Sequence, residues 1–193
     1  MSALAISSLD QLKLVLLTHN IEYLQYGQGT AKSLSQLLKE IQEGECSLSV
    51  VDGQLIRTVS VLAVAITRSD GRVLTEVNQT FHKTSQRDEY SRQRNVLLLE
   101  KMLPNETAAE ATRRGINEEL GLDVSHLVVT WDIIKRTSEQ KYSQSYPDLL
   151  CSYDRTTVTI PLELLGVEIE DGYTFTEFLQ TGEPRVTATW KWL

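Results

Sequence analysis

Two stretches near the start of the chain carry apolar residues at the spacing of an amphipathic helix. The first, residues 8–26, opens with Ser8 and Gln11 in a capping-box arrangement and ends before two glycines. The second, residues 33–42, is stopped by Gly44. Each helix must bury its apolar stripe against the rest of the chain or against a second copy of it. The stripes consist of Leu9, Leu12, Val15, Leu16 and Ile21, and of Leu34, Leu37, Leu38 and Ile41.

From Ser47 onward the pattern changes to the alternation and the β-branched residues that are typical of strands. Asp-Gly pairs at residues 52–53 and 70–71 predict hairpin turns. Polar stretches at residues 82–94 and 136–147 predict loops. Strands are predicted at residues 48–51, 57–67, 72–81, 96–99, 124–134, 149–161, 174–178 and 185–192.

A short helix with well-defined ends is predicted between Thr107 and Gly121. Thr107 and Glu110 have the spacing of a capping box, and a glycine closes a helix without steric cost. Near its end, Glu118 and Glu119 are adjacent, so both carboxylates can reach one divalent cation. Mg²⁺ prefers one or two protein carboxylates together with waters and substrate phosphates. A glutamate pair alone is more often a solvated helix face, so the surrounding residues decide.

Those surrounding residues resemble the Nudix box, G-x5-E-x7-R-E-U-x-E-E-x-G-U, in which U is a bulky aliphatic residue. Glu106 lies at the first glutamate of the box, and Arg114 follows at the required spacing. The later fixed positions are also in register, with Ile116, Glu118, Glu119, Gly121 and Leu122. Two positions differ: Glu100 stands where the family has glycine, and Gly115 stands where it has the glutamate after the arginine.

The resemblance implies a fold of the α/β class, a Nudix-like α/β/α sandwich with a mixed sheet. We expect this domain at residues 47–193, after two N-terminal helices. Those helices, residues 1–46, form an extension that packs on the domain or on a partner subunit. Nudix domains usually follow their last strand with a helix, whereas this chain ends on Trp190 to Leu193. We therefore expect an N-terminal helix or a partner subunit to cover that face of the sheet.

The resemblance also implies roles within the box. Glu118 and Glu119 are expected to be catalytic carboxylates and ligands of Mg²⁺ or Mn²⁺. Glu106, Arg114 and Gly121 are expected to hold the box loop and its helix together, which is a structural role.

The departures from the box leave three outcomes open, because the glutamate that Gly115 replaces is a metal ligand in the family. Water could fill the vacant coordination position, or Glu100 could restore a carboxylate to the metal from the loop side. In either case, the expected activity is metal-dependent hydrolysis of a diphosphate bond in a nucleoside-diphosphate-linked substrate. The third outcome is a catalytically impaired module that binds a nucleotide-like ligand or a protein partner.

Residues outside the box offer further contacts with a substrate. Arg92 and Arg94 could bind a phosphate, although scattered charge on a solvated loop is the commoner explanation. Lys141 could meet a phosphate, and Tyr146 could stack on a base or pack its loop onto its own domain. Some Nudix enzymes use a catalytic glutamate from outside the box; the candidates here are Glu139, Glu168, Glu170 and Asp171.

Composition limits the number of domains, the class of partner and the cellular location. The 193 residues are 41% hydrophobic, which suits one domain with a sizeable core. A net charge of −7 argues against general nucleic-acid binding, since that requires a basic surface. Two cysteines, no apolar run long enough for a membrane helix and no basic leader predict a reduced, cytoplasmic protein. The expected partner is a small molecule of the nucleoside-diphosphate type, and a homodimer is left open.

Overall fold

The computed structural model describes residues 3–83, 88–130 and 134–193. Within these ranges the chain forms three α-helices and two β-sheets, which confirms the α/β class. None of the helices in them has the length and apolar character needed to cross a membrane. The chain divides into two compact units. The first comprises Met1–Val61, Lys101–Glu106 and Arg136–Arg155, and the second comprises Leu62–Glu100, Thr107–Lys135 and Thr156–Leu193.

The first helix, α1, spans Leu9–Thr18 in the first unit. It begins where predicted, because the Ser8 hydroxyl accepts a hydrogen bond from the Gln11 amide at 3.3 Å. The predicted end at residue 26 is wrong. Asn20 adopts a φ of 56°, a left-handed angle that is incompatible with continuing an α-helix.

The second helix, α2, spans Leu34–Gln42 as predicted and shares a hydrophobic core with α1. Its Ser33 and Gln36 form both hydrogen bonds of a capping box. The buried cluster joins the two helix stripes to residues of the following strands and of a later loop: Leu12, Leu16, Ile21, Leu37, Leu48, Leu55, Val59, Tyr146 and Leu149. Both helices therefore bury their stripes within the first unit. The domain boundary between residues 46 and 47 stays a prediction.

One sheet begins with a hairpin between β1, Ser47–Val51, and β2, Gln54–Thr67. Asp52 and Gly53 have φ angles of 49° and 81°, as a two-residue turn with two left-handed positions requires. The strand order is β1-β2-β7-β6, with β5 also pairing with β2. These other strands are β5, Leu98–Lys101; β6, Ile134–Tyr142; and β7, Leu150–Pro161.

The second sheet lies in the second unit and has the strand order β4-β3-β9-β8. Its neighbouring strands are all antiparallel, so each pair places side chains directly opposite one another. The strands are β3, Leu74–Phe81; β4, Tyr90–Val96; β8, Thr174–Phe178; and β9, Pro184–Trp192. The long antiparallel pairing of β3 with β9 runs from Leu74 opposite Trp192 to Phe81 opposite Val186.

Two of the predicted loops contain strands. β4 occupies the end of the loop predicted at residues 82–94, and β6 occupies much of the loop predicted at residues 136–147. Both are edge strands in the stated orders, and their side chains are mostly exposed. An exposed edge strand is held by backbone bonds to one neighbour, so it needs no apolar alternation.

The strand predicted at residues 124–134 is wrong over residues 124–130, and its last residue, Ile134, is the first residue of β6. Residues 124–130 form neither helix nor strand, while residues 131–133 lie outside the described ranges. The Leu127 amide instead donates to the Val124 carbonyl at 2.9 Å in a turn that buries both side chains. Val124 and Leu127 are therefore buried by a compact turn. Their apolar side chains fit a buried strand equally well, so the sequence pattern does not distinguish the two backbone conformations.

A buried ion-pair network stabilises the first unit. Arg57 and Glu40 are 4% and 6% exposed, and Arg57 Nη2 donates to Glu40 Oε2 at 2.5 Å. Burial opposes the charge on Glu40, but Lys32, Lys101 and Arg57 outweigh it and lower its pKa to about 2. Cys46 and Cys151 are free, buried thiols, and Cys151 Sγ accepts from Arg57 Nη1 at 3.6 Å.

Candidate functional site

The helix that carries the box glutamates, α3, spans Ala108–Leu120 as predicted. The Thr107 hydroxyl accepts from the Glu110 amide at 3.2 Å, and the Glu110 carboxylate accepts from the Thr107 amide at 2.8 Å. Gly121 ends the helix with a φ of 68°, and a Cβ at that position would overlap the ring of Phe175. Because the helix ends at Leu120, Glu118 and Glu119 lie in its last turn.

Arg114 connects two of the carboxylates that the sequence predicts as metal ligands. Its Nη1 lies 2.9 Å from Glu118 Oε2, one helical turn further on, and 3.4 Å from Glu100 Oε1 at the end of β5. Glu106, the other predicted structural glutamate, lies in the first unit, where its Oε2 accepts from the Leu103 amide at 2.9 Å. This bond closes the turn before α3 and agrees with a structural role.

Glu119 has a strongly perturbed carboxyl group. Burial is the largest cause, and the charges of Glu100, Glu76 and Glu177 add to it, so the pKa of Glu119 rises to about 7. The charge of Arg94 partly opposes these effects. A carboxyl group that titrates near neutral pH in such surroundings is typical of functional sites, because it can hold or release a proton there.

The strand pair β3–β4 provides the positive charges near this carboxyl group. Arg94 Nη1 lies 2.8 Å from Oε2 of Glu76, a residue whose side chain is 3% exposed. Burial raises the pKa of Glu76, and no described residue forms a hydrogen bond with its Oε1. Arg92 donates from Nε and Nη2 to Gln79 Oε1, at 3.0 and 2.6 Å. The two arginines predicted to bind phosphate are therefore located in the same unit as the box helix, on a strand.

A small open cleft of about 130 Å³ lies beside the end of α3. Pockets for whole drug-sized ligands are larger, at about 300–1,000 Å³, so this cleft matches a phosphate-sized group better than a complete nucleotide. Its walls combine acidic, basic and aromatic side chains. They are Gln79, Phe81, Arg92, Glu118, Glu119, Phe175, Glu177, Val186 and Ala188.

Several residues at this site carry no signal in the sequence. Glu76, Gln79, Phe175 and Glu177 belong to β3 and β8, which are far from the box in the chain. Only the pairing of β3, β9 and β8 in one sheet brings them to α3. No motif spacing could have identified them. The one sign in the sequence was the position of Glu76, a charged residue inside a predicted strand.

The other predicted contacts belong to the first unit. Tyr146 is fully buried, with Tyr26 at 5.6 Å between ring centroids and the Arg57 guanidinium over its ring. It therefore has the packing role, and its ring has no free face for a base. Lys141 is exposed on β6, where it pairs with Glu139 at 3.3 Å and lies over the Tyr153 ring.

Among the acidic residues considered as an extra base, Asp171 is engaged by the backbone. Its Oδ1 accepts from the Trp192 amide at 2.9 Å. Glu168 and Glu170 are exposed in the segment before β8. The acidic residues whose charges act on Glu119 are instead Glu76, Glu100 and Glu177.

The donor chemistry of the site can be compared with the needs of a divalent cation. Across the described residues, no three His, Cys, Asp or Glu side chains are grouped so that they could hold a metal ion together. Mg²⁺ usually takes only one or two carboxylates from a protein, and completes its shell with waters and phosphates. Glu119 and Glu100, whose charges repel each other, fit that two-carboxylate requirement. The trio of Glu100, Glu118 and Glu119 stays a prediction.

Comparisons with known proteins return no sequence relative, since no protein-family model and no curated protein match the chain. The Escherichia coli ORF135 protein has 21% identity over 52% of this chain and 60% of its own length, with a TM-score of 0.29. MutT of Bacillus halodurans has 16% identity over 69% and 67%, with a TM-score of 0.29.

A third solved structure comes from work on MutT of Aliivibrio salmonicida and Vibrio cholerae. It has 16% identity over 70% of this chain and 79% of its own, with a TM-score of 0.28. Two of these three similar structures thus carry the name MutT. Because identities and TM-scores are this low, the Nudix resemblance rests on the box residues.

Proposed function

We propose that the protein hydrolyses a diphosphate bond in a nucleoside-diphosphate-linked substrate with the help of Mg²⁺ or Mn²⁺. The observation that supports this proposal is that Glu118 and Glu119 line, together with Arg92, a cleft at the end of α3, while the charge of Glu100 acts on Glu119. Carboxylates that repel one another at close quarters favour a bound cation, which would relieve their repulsion. The Nudix-box spacing of Glu118 and Glu119 supports the same proposal.

Each residue has a role in the proposal. Glu119 and Glu100 hold the metal, and Arg114 orients Glu100 and Glu118 through its ion pairs. Arg92 contributes positive charge to the cleft wall, where it faces the negative phosphates of a substrate. When bound, the metal neutralises the diphosphate and makes water more acidic. Glu118, which is half exposed, is the carboxylate placed to accept a proton from water.

The second candidate function is a module that binds a nucleotide-like ligand or a protein partner without cleaving it. Two observations favour it: α3 has no side chain at Gly115, and Arg114 already engages Glu118 and Glu100. The cytoplasmic location and a homodimer stay predictions under both candidates.

A hydrolysis assay with matched variants separates the two functions. The substrates are ADP-ribose, dinucleoside polyphosphates, coenzyme A and capped RNA, each with Mg²⁺ and with Mn²⁺. We expect turnover of one class, and a loss of at least about a hundredfold in Glu119→Gln, because general acid–base and metal-binding carboxylates contribute at least that much. Glu163→Gln, an exposed glutamate of the same unit, is the control and should retain full turnover.

The contrary outcome is equally specific. No turnover of any substrate by the wild type, together with nucleotide binding by calorimetry that Glu119→Gln leaves unchanged, would contradict the hydrolase and support the binding module. Turnover that Glu119→Gln leaves intact would show that the reaction takes place elsewhere.

A further inference from the structure

The two residues that depart from the Nudix box are in direct contact with each other. Gly115 is buried in the middle of α3, and Glu100 lies at the end of β5. A Cβ placed on Gly115 would lie 3.3 Å from Glu100 Cβ and 3.2 Å from Leu98 Cδ2. Both distances are shorter than ordinary van der Waals contact, so a side chain at position 115 would press against β5.

Glycine in the middle of a helix needs a reason, since it is among the poorest helix formers. The backbone of Gly115 is an ordinary helical one and requires no left-handed angle. The reason is therefore the close approach of β5, whose Leu98 and Glu100 side chains occupy the space that a side chain at position 115 would need.

The carboxylate of Glu100 is directed to the same groups as the helix glutamates. It lies 3.4 Å from Arg114 Nη1, and Glu118 binds that same nitrogen. Its charge also acts on Glu119, which follows Gly115 by one helical turn. The side chain of Glu100 thus lies against Gly115, and its carboxylate reaches the arginine that Glu118 also binds.

We propose that Glu100 and Gly115 are one reciprocal exchange: β5 supplies, through Glu100, a metal-binding carboxylate that α3 lacks, and Gly115 makes room for it. This inference rests on the proposed function, since it assigns Glu100 to the same cation. It also explains why both departures occur together. Gly115 without Glu100 would leave the site one carboxylate short, and Glu100 beside a glutamate at position 115 would crowd two carboxylates.

The test measures binding of Mn²⁺ alone, by electron paramagnetic resonance and by calorimetry, together with the midpoint of thermal unfolding. Four proteins are compared with the wild type: Glu100→Gln, Gly115→Glu, the double variant Glu100→Gly with Gly115→Glu, and the control Glu163→Gln. Glu100→Gln keeps the shape of the side chain, so it should fold. We expect it to bind Mn²⁺ at least about tenfold more weakly, as losses around a metal site typically do.

The double variant provides the sharper comparison. Gly115→Glu alone should lower the thermal midpoint, because its Cβ meets Glu100 and Leu98. Removing the Glu100 side chain in the double variant relieves the overlap with Glu100, though not that with Leu98, and returns one carboxylate. Both the midpoint and Mn²⁺ binding should therefore recover in part toward the wild type. A purely structural Glu100 would alter the midpoint in Glu100→Gln and leave Mn²⁺ binding unchanged, and that result would overturn the inference.

The outcomes also separate this inference from the proposed function. If the wild type hydrolyses a substrate and Glu100→Gln binds Mn²⁺ as tightly as the wild type, the exchange is refuted and the hydrolase stands. If Mn²⁺ binds through Glu100 but no substrate is cleaved, the exchange stands and the hydrolase fails. A wild type that binds no Mn²⁺ refutes both.

Discussion

At the scale of single residues, the site is defined by carboxylates that crowd one another. Glu119 is buried and lies near the charges of Glu100, Glu76 and Glu177, which the positive charge of Arg94 opposes in part. Arg114 cannot neutralise all of the site, because its Nη1 is shared by Glu118 and Glu100. The cost of this crowding in the folded protein should appear as a dependence of stability on pH.

We predict that Glu119 destabilises the metal-free protein increasingly as pH rises. Its pKa is about 7 when folded and near the usual value of 4.5 when unfolded, so the folded state binds the proton more tightly. The unfolding free energy should therefore fall between about pH 4.5 and 7 and level off above. Glu119→Gln, measured by urea denaturation in a chelator, should be the more stable protein at pH 8 by an amount on the order of 1–2 kcal/mol after allowing for solvent screening.

The comparison at low pH provides the control for this prediction. Near pH 4.5 the wild-type carboxyl group is protonated when folded, so the advantage of Glu119→Gln should largely disappear. An advantage of equal size at pH 5 and pH 8 would mean that packing, and not charge, separates the two proteins. Glu163→Gln, which removes an exposed charge, should show no comparable change with pH.

At the scale of elements, α3 and the edge strands show which signals a sequence carries. The two ends of α3 are encoded locally, by the capping box of Thr107 and Glu110 and by Gly121, so its prediction was confirmed. β4 and β6 are held by their neighbours and are polar on most of their length, so they were mistaken for loops. Gly115 costs α3 about 1 kcal/mol relative to alanine, a cost that close packing against β5 accounts for.

We predict that Gly121→Ala is more costly than an ordinary glycine replacement. The left-handed angle alone costs a non-glycine residue about 1–2 kcal/mol. The new Cβ would also overlap the Phe175 ring, and overpacking adds about 1–3 kcal/mol. Because Phe175 lines the cleft, its displacement should also reduce turnover.

The matched control is Gly182→Ala in the same unit. Gly182 has a φ of 83°, and no atom in the described part of the chain lies within 4 Å of the Cβ that alanine would add. It should therefore show the cost of the backbone angle without the overlap. Equal losses of unfolding free energy in the two variants, measured by urea denaturation, would show that Phe175 moves aside freely.

At the scale of the whole molecule, each unit depends on residues that are distant in the sequence. In the first unit, the stripes of α1 and α2 share a core with Leu48 and Leu55 of the following hairpin and with Leu149. In the second unit, β3, β4, β5 and β8 contribute the charges that act on Glu119 of α3. The N-terminal helices are therefore part of a folded core, and their loss should have structural consequences.

We predict that deletion of residues 1–44 yields insoluble protein, because it uncovers Leu48 and Leu55, which are 0% and 2% exposed. A point-variant pair tests the same core without truncation. Leu16→Ala, at a fully buried position, should cost about 2–5 kcal/mol of unfolding free energy. Leu14→Ala, at a position 66% exposed on the same helix, should change it by less than about 0.5 kcal/mol. A soluble, folded and monomeric truncation would refute the prediction.

The sequence by itself determined the features that depend on neighbours along the chain. These are the ends of α3, the extent of α2, the hairpin turn at Asp52 and Gly53, the strands with alternating apolar residues, and the Nudix-box spacing of the helix glutamates. Each is set by backbone angles, caps or periodicity within about ten residues, which a linear pattern records. The α/β class was implied by the Nudix resemblance, which depends on that spacing.

Only the tertiary structure decided the features that depend on residues brought together from afar. Two polar stretches form edge strands in it, because each hydrogen-bonds with a neighbouring strand. It buried Tyr146, gathered Glu76 and Glu177 around Glu119, and placed Glu100 against Gly115. The sequence shows two unrelated departures from a motif at positions 100 and 115, whereas packing of β5 on α3 makes them one contact.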